Sequence, residues 1–162
     1  MHALLFVSQL INHKKFSIGT AESCTGGAIA KTICSVPGSS KYFRGSIVAY
    51  AEDIKTSLLG VNPEIIKKHG VVSEEVVLEM AKGCIKALSV DFAVSTSGIA
   101  GPGGGTVEIP VGTVCISVVG PTISESWTRY FEGNRMEVVE AATSACLVYL
   151  EKSINRHASS VG

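Results

Sequence analysis

At 162 residues, with 46% apolar and 17% charged side chains, the chain has the size and composition of one compact domain with a core of its own. Fourteen basic residues balance fourteen acidic ones and no basic stripe interleaves with aromatics, which argues against direct nucleic-acid binding and for a small-molecule ligand. No apolar run reaches the roughly 18 residues needed to cross a bilayer, and five scattered cysteines without a Cys-x-x-Cys pair fit reduced thiols, so a cytoplasmic protein free of the membrane is expected.

In chain order, Leu4, Leu5, Val7 and Ile11 share one helical face, and without a basic start or a small-residue cleavage site this segment reads as a helix, not a signal peptide. Residues 16–21 read as a first strand and 26–34 as a helix. Pro37 and Gly38 make 36–40 a turn, and 45–50 reads as a second strand. Helical spacing covers 51–59, and Pro63, with its fixed φ and missing N–H, opens a short helix to 68. Ser73, followed by Glu74 and Glu75, caps a helix reaching 87. A strand spans 91–97, and 111–119 pairs with 124–131 as an antiparallel hairpin through Gly120 and Pro121. A last helix covers 135–155, and 155–162 reads as a frayed tail of a single 1–162 domain.

This order predicts an α/β fold, a three-layer α/β/α sandwich on a mostly parallel mixed sheet with one antiparallel strand. Ligands in such sheets sit outside the carboxyl ends of the strands. Two glycine-rich turns fall at that edge, Ala-Glu-Ser-Cys-Thr-Gly-Gly at 21–27 and Ser-Gly-Ile-Ala-Gly-Pro-Gly-Gly-Gly at 97–105, together with Tyr50.

Ser23 leaves a strand and precedes a helix start whose amides could hold an oxyanion, so it is the candidate nucleophile. The alternative is that Ser23, Thr25 and the glycines only cap that helix. The Gly-x-Ser-x-Gly elbow is absent, and the four histidines (His2, His13, His69, His157) are poorly placed to serve as a base. That leaves a lysine of lowered pKa, with Lys55 the best placed, or an ordinary solvated lysine. Tyr50 either orients a proton or simply packs. The triple glycine after Pro102 suits an anion-binding nest, and Arg135 a phosphate contact, with a flexible hairpin tip and a surface salt bridge as the plain alternatives. No His/Cys/carboxylate cluster has ligand spacing, so no metal is expected.

Together the motifs resemble the CinA C-terminal domain family, including its stand-alone nicotinamide-nucleotide amidases of PncC type. The resemblance rests on 21–27, Val-Pro-Gly-Ser-Ser at 36–40, Ile-Val-Ala-Tyr at 47–50 with Lys55 and Leu-Gly-Val at 59–61, Gly-Val-Val-Ser-Glu-Glu at 70–75, 97–104, and Val-Gly-Thr-Val at 111–114. It implies deamidation of nicotinamide mononucleotide to nicotinate mononucleotide and ammonia, in pyridine-nucleotide salvage, by a homodimer without cofactor or metal. The motif serine, tyrosine and lysine map onto Ser23, Tyr50 and Lys55. Glu22, Thr25, Gly26, Gly27, Ser97, Gly98, Gly101, Gly103, Gly104 and Arg135 are expected to bind substrate, with amides at 25–27 facing the oxyanion. Ser97 replaces the family's usual threonine, Ile109 stands where a lysine is common, and nothing is expected here of the family's N-terminal half. The rival reading is an inactive nucleotide-binding module of the same fold.

Overall fold

The computed structural model describes residues 16–161, so the helix expected over Leu4 to Ile11 lies outside the described residues. Five strands, β1 (Ile18–Glu22), β2 (Phe43–Val48), β3 (Phe92–Gly98), β4 (Thr113–Gly120) and β5 (Ile123–Tyr130), form one sheet in the order β2-β1-β3-β4-β5. β1 lies parallel to β2 and β3, while β4 runs antiparallel to both β3 and β5. One strand thus opposes four, as the alternation of elements predicts.

Helices cover both faces. On one, Ile29 and Ile33 of α1 (Ala28–Cys34) and Val138, Leu147 and Leu150 of α5 (Arg135–Val161) pack on Phe92, Val94 and Ile116. On the other, Leu59 of α2 (Glu52–Leu59), Ile66 of α3 (Pro63–His69) and Val76 and Met80 of α4 (Glu74–Leu88) pack on Ala21, Ala93 and Cys115. Every residue of β1 is buried, because a strand covered on both faces has no solvent side to alternate with. Each large apolar side chain so buried contributes roughly 1.5–3 kcal/mol.

The caps follow the sequence. Asn62 accepts the amide of Glu64 ahead of Pro63, and Ser73 accepts that of Val76. Gly83 lets α4 touch the end of α2, since a Cβ there would stand 1.8 Å from the carbonyl oxygen of Leu59. Among the described residues no helix is long and apolar enough to cross a membrane.

Strand ends shift by one or two residues from the sequence reading, and three differences stand out. The helix read from residue 26 begins at Ala28, because Gly26 and Gly27 take left-handed φ of 57° and 97°. β2 ends at Val48, so Tyr50 stands two residues beyond the strand. The tail expected to fray from 155 is instead helix to Val161. His157 anchors it: the ring is 6% exposed, stacks edge-on against Phe16 and Phe92, and its Nδ1 lies 2.8 Å from Thr122 Oγ1 in the β4–β5 turn.

Candidate active site

The parallel strands deliver three segments to one edge of the sheet. Ser23 follows β1 directly, and its amide donates to the carbonyl of Thr96 on β3 (3.1 Å), fixing the residue against the neighbouring strand. Its side chain is 7% exposed. Lys55 projects from α2 on the face that also buries Leu59. At 1% exposure it is an amine placed where an apolar residue would ordinarily be.

Lys55 Nζ lies 2.9 Å from Ser23 Oγ, 2.7 Å from the carbonyl oxygen of Ala49 and 3.2 Å from that of Tyr50. None of these partners is a carboxylate. Burial therefore pulls the amine below its ordinary pKa of 10.5, opposed by electrostatic coupling to Cys24 and Glu52. Cys24 borders the same cleft, but burial pushes its thiol up to about 12 despite backbone, Thr96 and Lys55 interactions that lower it, and the side chain that Lys55 Nζ contacts is the Ser23 hydroxyl.

A cleft of about 330 Å³ opens over the pair. Ser97, Gly98, Gly101, Gly103 and Gly104 form one side of it, and Tyr50 and Arg135 also border it, as the sequence suggests. Ser97 acts through the backbone: its hydroxyl donates to the carbonyl of Val71 (2.8 Å) and holds the segment before α4 against β3. Gly98 must lack a side chain because a Cβ would meet Thr113 O at 2.6 Å on β4. Arg135 donates to the carbonyl oxygen of Gly101 (2.6 Å) and to the phenol of Tyr50 (2.8 Å). The Tyr50 ring is 59% exposed and its hydroxyl bonds to Arg135, with no hydrogen bond to Ser23 or Lys55. Tyr50 meets Lys55 through its carbonyl, while its phenol is turned to Arg135.

The residues expected to bind substrate at 22–27 do something else. Glu22 is fully buried and turned inward: its carboxylate accepts the amides of Gly27 (2.9 Å), Ile29 (3.1 Å) and Ala30 (2.8 Å) and the hydroxyl of Thr25 (2.7 Å). The hydroxyls of Thr20 and Ser46 close the far side at 3.2 and 3.4 Å. An internal anion thus occupies the start of α1, where amides and helix dipole favour one. Glu22, Thr25, Gly26 and Gly27 do not line the cleft. Nor can Gly26 and Gly27 serve as oxyanion donors, since their amides already bond to Ser23 O and Glu22 Oε2. The amides of Cys24 and Thr25 are the ones left without an oxygen acceptor among the described residues.

Sequence reasoning missed Glu52, Val71, Val72 and Ile99, which also line the cleft. Glu52 had a readable signal, standing three residues before Lys55 on one helix. Ile99 lay within the 97–105 turn already placed at this edge, whereas the valines had no signal, because their exposure at the cleft is set by the tertiary approach of the segment before α4 to β3.

A family model described as the CinA C-terminal domain matches residues 3–154. A CinA-like protein of Fervidobacterium nodosum is 42% identical over 154 residues, spanning 95% of this chain and 37% of its own length. Another from Mycobacterium leprae is 47% identical over 142 residues, with 85% and 33% covered. The chain thus spans about a third of the length of these curated relatives. Among solved structures, a competence or damage-inducible protein from Enterobacter asburiae superposes with a TM-score of 0.90 at 30% identity, covering 94% of this chain and 98% of its own. The competence/damage inducible protein CihA from Agrobacterium tumefaciens does so with 0.89 at 32% identity, covering 96% of each.

Proposed function

This chain belongs to the CinA C-terminal domain family, and we propose that it is a hydrolase that deamidates nicotinamide mononucleotide through a Ser23–Lys55 dyad. The contact between Lys55 Nζ and Ser23 Oγ at 2.9 Å carries this reading. A neutral amine has two N–H bonds and one lone pair. With two carbonyl oxygens as its other neighbours, both N–H bonds have acceptors and the lone pair is left for the serine proton.

In the proposed reaction Lys55 takes the Ser23 proton as Oγ bonds to the carboxamide carbon. The amide of Cys24, which borders the cleft, donates to the oxyanion. The C–N bond then breaks as Lys55 returns the proton to the leaving nitrogen, and ammonia departs. Lys55 next takes a proton from water, which attacks the acyl carbon; the C–Oγ bond breaks as Lys55 returns that proton to Ser23 Oγ, and nicotinate mononucleotide leaves. Arg135 and the amides of Gly103 and Gly104 suit the 5′-phosphate. The cleft volume of about 330 Å³ lies inside the ~300–1,000 Å³ range of small-molecule sites.

The test is ammonia release from nicotinamide mononucleotide by the purified chain and by Ser23→Ala and Lys55→Ala variants. Both substitutions should abolish release. Undiminished release in either removes that residue from the mechanism, and a preference for free nicotinamide over the nucleotide assigns another amidase activity. A homodimer working without cofactor or metal belongs to the same reading, and is checked by sedimentation and by assay in the presence of a chelator.

A further inference from the structure

Two opposite charges border the cleft and do not meet. Glu52 opens α2 and lines the cleft with Lys55, three positions on and so on the same helical side. Its carboxylate has no hydrogen-bond or ion-pair partner among the described residues, because Lys55 Nζ directs its three contacts to Ser23 Oγ and the carbonyls of Ala49 and Tyr50. Arg135 borders the same cleft from the start of α5, and its guanidinium is held by two uncharged acceptors, Gly101 O and the Tyr50 hydroxyl. Neither field is cancelled by the other, so both remain available to a bound molecule.

A molecule that uses both must carry separated charges, an anionic group toward Arg135 and a cationic one toward Glu52. Building on the amidase reading, the geometry points to Glu52 as the residue that selects a substrate whose carboxamide sits on a positively charged ring. An N-alkylated pyridinium meets this requirement; an uncharged aromatic amide of the same shape does not. The ring charge also withdraws electrons from the carboxamide carbon, so the property Glu52 selects is one that eases attack by Ser23. A plainer role for Glu52 is to favour the helix dipole as a first-turn acid. Asp53 is the matched control, being an exposed first-turn acid that does not line the cleft.

Binding is measured by calorimetry in a Ser23→Ala background, so that no turnover intervenes. The two ligands are nicotinamide mononucleotide and its uncharged isostere, the 3-carbamoylphenyl ribonucleotide in which carbon replaces the ring nitrogen. The background protein should bind the cationic nucleotide about 2–5-fold more tightly at low salt, an effect sized for a solvent-accessible charge pair. Adding Glu52→Gln should bring the ratio close to one, whereas adding Asp53→Asn should leave it unchanged. A general loss of stability moves both ligands together and so leaves the ratio where it was. Equal binding of the two ligands by the background protein, or a ratio that survives Glu52→Gln, overturns the role of Glu52 and leaves the amidase reading standing. Binding of neither ligand overturns both.

Discussion

The chain has two glycine-rich turns at one edge of its sheet, and they are opposite in chemistry. In the turn after β1 the Glu22 carboxylate lies inside, and the amides of Gly27, Ile29 and Ala30 all converge on it. In the loop after β3, residues 102–108 are exposed and the amides of Gly103, Gly104 and Gly105 have no acceptor among the described residues. Glycine content alone therefore does not mark a ligand site. An internal anion closes the first turn and makes it a rigid mount for Ser23, while its absence leaves the second turn open to a ligand.

The largest effect is expected where the closed turn meets Lys55. Lys55→Met should lower kcat/KM by about 10³-fold or more, because the serine then has no base. In the wild type, kcat/KM should rise with pH through the lowered Lys55 pKa, since the neutral amine is the active form. Stability carries the same signature. Between the lowered value in the fold and 10.5 in the unfolded chain, the unfolded state binds more protons, so the Lys55 contribution raises stability with pH across that window and is flat on either side. The raised thiol of Cys24 acts in the opposite sense from 9.0 to about 12. Subtracting the Lys55→Met curve from the wild-type curve in denaturant unfolding isolates the lysine. A difference that stays flat with pH would show that Lys55 is fully charged in the fold and is no base.

Next in size is the anion that closes the first turn. Glu22→Ala leaves one buried and two part-buried amides without an acceptor and should cost about 3–5 kcal/mol, since each such group loses roughly 1–3 kcal/mol and part is regained by water. Glu22→Gln should also destabilise the fold, because an amide NH₂ then faces donors. Chemical denaturation reads both. A loss below about 1 kcal/mol would mean that the turn holds its shape without the carboxylate, and the contrast between the two turns would lose its cause.

What was legible in the sequence follows the same division. The sheet with its single antiparallel strand, the Pro63 helix start, the Ser73 cap and the placement of Lys55 after β2 were readable, because each depends on local pattern or on topology rules for α/β sheets. Glu22 was misread because a carboxylate beside a nucleophile looks like a substrate contact, and only the direction of amides five to eight residues later shows that it points inward. The helical tail was missed because His157 is buried by Phe16, Phe92 and Thr122, partners that no local window contains.

For the open turn, the expected effect is on binding. Arg135→Ala should raise KM for the nucleotide by about 10–100-fold while kcat changes by about threefold or less, the pattern of a lost ground-state contact to an anion. Arg135→Lys should recover little, because an ammonium cannot reproduce the planar fork that bridges Gly101 O and the Tyr50 hydroxyl. A kcat loss that exceeds the KM change would move Arg135 from substrate capture to the reacting centre.

The smallest effect gives the most direct comparison of the two turns. Gly27 and Gly104 hold nearly the same left-handed φ, 97° and 88°, and a Cβ at either would make only an ordinary contact, 3.7 Å to Val48 and 3.6 Å to Ile99. Alanine thus imposes the same intrinsic strain of about 1–2 kcal/mol at both. Around Gly27 the clamp on Glu22 forbids relaxation, so Gly27→Ala should lose most of that in denaturant unfolding. Around Gly104 the exposed loop can readjust, so Gly104→Ala should lose less than about 0.5 kcal/mol and instead raise KM about twofold as the nest of amides opens. Equal stability losses at the two positions would show that the loop after β3 is as rigid as the turn after β1, and its openness would then reflect a shape fixed in advance for the ligand.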